Sequence, residues 1–184
     1  ADLSANEVSG SAVARNALIL LKKASERGGL GLTATGNLSR AVVAEMRELI
    51  DWPAYDQAVA FQFDKVVNEP DFAPLYIVRN LAQAAGMVRK QRGKLLATRL
   101  GKSMLEDPRR GSLIAILFHI AFWRIDHSYF GRGLFGSWPQ NHVGVVLWSL
   151  SVSANNWQAS EKLTRLCTVP EPAMLAETWD RSRF

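Results

Sequence analysis

Apolar residues recur along this chain in two rhythms, and the change from one to the other marks out its elements. Val13, Ala14, Ala17, Leu18, Leu20 and Leu21 recur three and four apart, with Lys22, Lys23, Glu26 and Arg27 at the polar end. Residues 11–27 therefore predict an amphipathic helix, stopped by Gly28-Gly29. Residues 30–36 alternate apolar and small side chains, the pattern of a short strand. Asn37 is placed to cap a second helix over 38–50, with Leu38, Val42, Val43, Met46 and Ile50 facing inward. A third helix is expected after Asp71 as its N-cap, with Pro74 tolerated in the first turn. Its inner stripe is Leu75, Val78, Leu81, Ala82 and Ala85, and its outer stripe is Tyr76, Arg79, Asn80 and Gln83. Gly86 sits where a C-cap residue is wanted.

Residues 87–90 and 94–97 are short, partly alternating segments around Gln91-Arg92-Gly93, which predicts a hairpin. Thr98 can cap a further helix carrying Leu100, Met104 and Leu105. Here the chain resembles the winged-helix transcriptional regulators. The residues that carry the likeness are Ala85-Gly86-Met87-Val88-Arg89, Arg92-Gly93-Lys94, Leu95-Leu96 and Thr98-Arg99-Leu100-Gly101, about a fifth of the chain. The resemblance implies a winged-helix-like module over residues 1–106, in a mainly α protein with a small β-hairpin, that binds double-stranded DNA. Arg79, Asn80 and Gln83 have the forked donor and acceptor geometry that reads base edges, and Tyr76 shares their stripe. Arg89, Lys90, Arg92 and Lys94 would meet phosphate. One departure matters: the family's second and third helices are joined by a tight turn, whereas residues 51–70 intervene here. In that insertion the run around Phe61 and Phe63 suits a short helix or a strand equally.

After residue 106 the composition shifts. Asp107-Pro108 opens a run in which every residue from Leu113 to Trp123 except His119 is apolar. Eleven residues fall far short of the roughly 20 needed to cross a bilayer, so this predicts a helix buried on nearly all sides rather than a membrane span. Its expected partners are helices over 139–154 and 157–166, the latter capped by Asn156, and a last helical piece after Pro170 and Pro172. Five of the six tryptophans lie in this half, a load suited to a helical subdomain over 107–184 or to a homodimer interface. The loop over 129–136 holds three glycines but lacks the preceding strand and following helix of a nucleotide-binding loop.

Charge sharpens the expectation. From Arg79 to Arg110 nine basic residues stand against two acidic ones, whereas from Glu45 to Asp71 seven acidic residues stand against two basic ones. The basic segment coincides with the hairpin, the footprint of phosphate contact. Its bland counterpart is a basic face paired with the acidic segment. Chemistry finds little support: His119 and His127 are too far apart on one helix to share a metal, and no metalloprotease, paired-cysteine or nucleophile-elbow motif occurs. His119 reads as a hydrogen-bonded core residue and the lone Cys167 as buried packing in a reducing, cytoplasmic setting. No enzyme activity, metal or cofactor is expected. A second reading remains: a protein-interaction or structural module, cut from a larger parent chain, as a first residue other than Met allows.

Overall fold

A computed structural model describes residues 10–53, 55–62, 66–127 and 140–167. The first apolar stripe forms α1 (Ala12–Ser25), capped by Ser11, whose hydroxyl accepts from the Ala14 N–H at 3.3 Å. The chain then makes β1 (Leu30–Gly31), followed by a single antiparallel bridge between Leu32 and Leu38. That bridge moves the start of the second helix. Leu38 is held extended, with its N–H given to the Glu69 carboxylate, so α2 (Arg40–Leu49) begins with Ser39 at its N-cap rather than Asn37. Leu38 is buried as expected, from a strand-like segment instead of a helix.

The described part of residues 51–70 contains α3 (Gln57–Ala60) and the start of a 3-10 turn (Glu69–Asp71). The run before Phe61 is helical, and Phe61 itself is the C-cap of α3, in a turn; Phe63 lies outside the described residues. The insertion is anchored at its start by Asn16 of α1. This fully buried amide donates to the Asp51 carbonyl at 2.7 Å and accepts from the Asp51 N–H at 3.2 Å. Midway, the Arg47 guanidinium lies 4.4 Å from the Phe61 ring centroid, and Phe61 packs with Tyr55 and Phe72. The Asp71 carboxylate accepts from the Asn68 N–H at 3.0 Å and so closes the 3-10 turn. Phe72 therefore takes the N-cap position of α4 (Ala73–Ala84), where Asp71 was expected.

β2 (Val88–Gln91) and β3 (Lys94–Ala97) form the hairpin. Its turn is Arg92 at φ 48° and Gly93 at φ 72°, the pair of left-handed positions that a two-residue hairpin loop demands. β1 pairs antiparallel with the other edge of β3, Leu30 opposite Leu95, so the strand order is β1-β3-β2. The Thr98 hydroxyl accepts from the Gly101 N–H at 3.1 Å and caps the short α5 (Arg99–Ser103). The sheet closes one side of a core filled by Leu20, Leu21, Met46, Leu75, Leu95 and their neighbours.

The apolar run becomes α6 (Arg110–Trp123), which packs against α1 and α4 through Leu113, Leu117 and Ile120. Among the described residues, burial of this helix on nearly all sides is not found. Only that stripe is inside, and Phe118 and Trp123 remain 42% and 50% exposed, because a helix laid on one core has one inward face. His119 is likewise exposed and stacks on Trp123 one turn later, rather than sitting in the core.

Two compact units divide after Ile125, which leaves α6 with the first unit instead of beginning a second at residue 107. Within the second unit α7 (Val143–Ser153) packs on α8 (Ser160–Cys167), and Cys167 is buried. α8 starts later than its apolar pattern suggested, and Trp157 is left fully exposed. The glycine-rich loop and the segment after Pro170 lie outside the described residues.

Gly101 stands against the backbone of Met87, where a Cβ would collide with the Met87 carbonyl oxygen. Gly101→Ala is therefore expected to destabilise the fold by about 1–3 kcal/mol through overpacking, measured as a lower denaturant midpoint at unchanged slope.

Candidate nucleic-acid interface

The third apolar stripe decides where the proposed base-reading residues go. Leu75, Val78, Arg79 and Ala82 are spaced i, i+3, i+4, i+7, so helical geometry turns Arg79 inward with the three apolar residues. Arg79 is only 4% exposed. Its Nε faces Glu69 Oε1 at 3.5 Å, and its Nη2 donates to the Gly36 carbonyl at 2.9 Å. It does not stand on the outer stripe with Tyr76, Asn80 and Gln83. The expectation that Arg79 is presented for base contact fails because its long side chain is spent inside the fold.

The outer stripe is real but partly self-engaged. Gln83 is exposed, while Tyr76 and Asn80 are half-buried. Asn80 Nδ2 donates to the Tyr76 carbonyl at 2.8 Å, and Asn80 Oδ1 accepts from Arg79 Nη1 at 3.4 Å. Both ends of that amide fork are thus engaged within the helix itself.

Glu69 was missed by sequence reasoning, yet it organises this region. It is fully buried, its Oε2 accepts from the Leu38 N–H at 2.5 Å, and its Oε1 has no hydrogen-bond partner beyond the long approach of Arg79. Burial pushes its carboxyl above the ordinary Glu value, opposed by the Leu38 N–H and by the charges of Arg79 and Lys90. The available signal was Arg79 itself: an arginine completing an inward stripe needs an acid, and the insertion ends in one.

On the hairpin, register sorts the cations by face. Arg89 lies opposite Leu96 and Gln91 opposite Lys94, on the outer face of the sheet. Lys90 lies opposite the fully buried Leu95 on the inner face and extends past the sheet toward the turn before α2. Its Nζ is 2.7 Å from where a Cβ on Gly36 would be, so a side chain there would displace it. Arg92 occupies the turn. Arg89, Lys90, Arg92 and Lys94 are all exposed, and none forms a salt bridge among the described residues. Among the described residues no salt bridge joins the acidic segment to them: its salt bridges run from Glu45 to Lys23, from Asp51 to Arg15 and from Glu69 to Arg79.

These elements fall almost wholly within one recognised family. The profile of the Y4jL N-terminal domain matches residues 9–110, and the chain belongs to that family. It is also similar to a protein of Sinorhizobium fredii (strain NBRC 101917 / NGR234) described as uncharacterized protein y4jL. The two are 26% identical over 167 residues, covering 90% of this chain and 76% of that one. No solved structure matches.

The buried pair and the outer stripe predict opposite mutational outcomes. Arg79→Met leaves an unpaired buried carboxylate and is expected to cost about 3–5 kcal/mol near neutral pH, whereas Gln83→Ala should fall within about 0.5 kcal/mol of the parent in denaturant titrations. The sign of the pH dependence also follows. With its folded value raised, Glu69 binds a proton more tightly in the folded chain than in the unfolded one. Its contribution to stability is therefore greatest below the ordinary Glu range and declines as pH rises through the raised value. The stability difference between the parent and Glu69→Gln, measured by denaturation across that range, should shift against the parent as pH increases.

Proposed function

We propose that this chain binds double-stranded DNA as a winged-helix module, chiefly by phosphate contact from the β2–β3 hairpin. The observation that carries this reading is the state of Arg89, Lys90, Arg92 and Lys94: four cations on a tight two-residue hairpin, exposed and without a salt bridge among the described residues. Charge of this kind held on a rigid projection suits a polyanion, because counterion release then supplies the affinity. Apart from the short α3 and the 3-10 turn between α2 and α4, the order helix, strand, helix, helix, hairpin, with β1 paired to the hairpin, supports this reading.

Base reading is the weaker part of the function. Arg79 drops out of the contacting set, Asn80 must release its present hydrogen bonds before it can pair with an adenine edge, and Gln83 alone is exposed on that stripe. The module therefore discriminates sequence modestly, and a role in transcriptional regulation rests on pairing two copies. The exposed apolar side chains of the second unit, Val145, Trp148 and Val152 on α7, favour such a homodimer. They equally favour the second reading, a protein-interaction module of a larger chain with no nucleic-acid role. Among the described residues no helix is long and apolar enough to cross a membrane.

Fluorescence anisotropy with a labelled duplex at several salt concentrations tests the proposal. Arg92→Ala with Lys94→Ala should weaken binding to unrelated sequences about equally and flatten the plot of log affinity against log salt by about 0.9 for each phosphate that is no longer neutralised. Binding that is unchanged in this variant would overturn the reading.

A further inference from the structure

One buried carboxylate lies where three parts of the candidate interface meet. Glu69 comes from the 3-10 turn that ends the insertion. Its Oε2 holds the Leu38 N–H, at the end of the turn between β1 and α2, and its Oε1 faces Arg79 of α4. Arg79 passes the linkage on in two directions, to the Gly36 carbonyl and to the Asn80 amide. Lys90 of the hairpin brings its Nζ up to Gly36 as well, and its charge acts on the Glu69 carboxyl. The charged group in contact with Glu69 is thus Arg79 from α4, and Lys90 of the hairpin acts on it electrostatically. Asp71, on its own turn, is engaged by Asn68, and Arg40 of α2 donates to Asn68 as well. The turn over residues 33–37 brings no charge.

We propose that Glu69 is a proton-operated regulator of the DNA-binding face: its carboxylate balances Arg79 and draws on Lys90, and protonation releases that positive charge toward the duplex. The inference rests on the DNA-binding reading given above. Ionised, the Glu69–Arg79 pair is neutral, so Glu69, Arg79 and Lys90 together carry one net positive charge. With Glu69 protonated the same cluster carries two positive charges, and the hold of Arg79 on Asn80 and Gly36 is no longer set by an anion behind it. The carboxyl suits this role because burial favours its neutral form and Oε1 has no other hydrogen bond to lose. By linkage, DNA must in turn favour proton uptake at Glu69.

Duplex affinity of the full chain, measured at constant ionic strength from about pH 8 to about pH 5, tests the idea. The parent should bind more tightly as the pH falls, by up to roughly fivefold once Glu69 is fully protonated, the effect of one added charge near the phosphates. Glu69→Gln, which keeps an oxygen for the Leu38 N–H, should lack this component and bind at every pH as tightly as the acidified parent. A residue with only a structural role would instead give a variant that binds more weakly at all pH values with the same pH slope, and that result overturns the proposal. If Glu69→Gln does not fold, the Glu69 carboxyl carbon of the parent is titrated by NMR with and without the duplex. A higher titration midpoint with DNA supports the proposal, and an unchanged one overturns it. Failure to bind any duplex at any pH would sink the DNA-binding reading itself, whereas binding without a Glu69-linked proton would sink only this inference.

Discussion

The first unit depends on a carboxylate with almost nowhere to go. Placing Glu69 out of water is costly, and its return is one backbone N–H and one guanidinium at 3.5 Å. A buried pair of this kind adds little net stability compared with a well-packed apolar pair. It does fix which segments meet: the turn before α2, the end of the insertion and the middle of α4 share a single junction. Any slip of α4 by one residue would strand both charges, so the pair acts as a register mark for that helix.

That constraint explains how the segment over residues 51–70 is accommodated between α2 and α4. It is pinned at both ends by buried polar side chains, Asn16 onto Asp51 at the start and Glu69 onto Leu38 and Arg79 at the end. Between them Tyr55, Phe61 and Phe72 supply an aromatic satellite to the main core, and Arg47 covers one ring. The salt bridges of the acidic segment are thereby made to Lys23, Arg15 and Arg79. The hairpin cations are left without salt bridges among the described residues, and the electrostatic asymmetry of the chain survives folding.

The family match and the compact unit do not end together. The Y4jL N-terminal domain covers residues 9–110, yet α6 beyond it supplies Leu113, Leu117 and Ile120 to the same core. The helix is uniformly apolar in sequence, so composition grouped it with the tryptophan-rich second half, whereas packing groups it with α1 and α4. An apolar helix records that it needs a partner without recording which one.

By itself the sequence determined the elements with strong local signals: the amphipathic stripe of α1, the existence of the hairpin around Gly93, the Thr98 cap and the inward apolar set of α4. Each depends on residues within one turn or one strand pair, where spacing and backbone preference suffice. Helix starts moved by a few residues where a distant group intervened, as Glu69 did at Leu38. Only the tertiary structure decided the fate of charge. Arg79 and Gln83 look alike as polar letters on a helix, but one meets a buried acid from the insertion and the other meets water. That choice is made by groups far along the chain, because the free energy of an ionic side chain is set by what surrounds it and not by its place in the sequence.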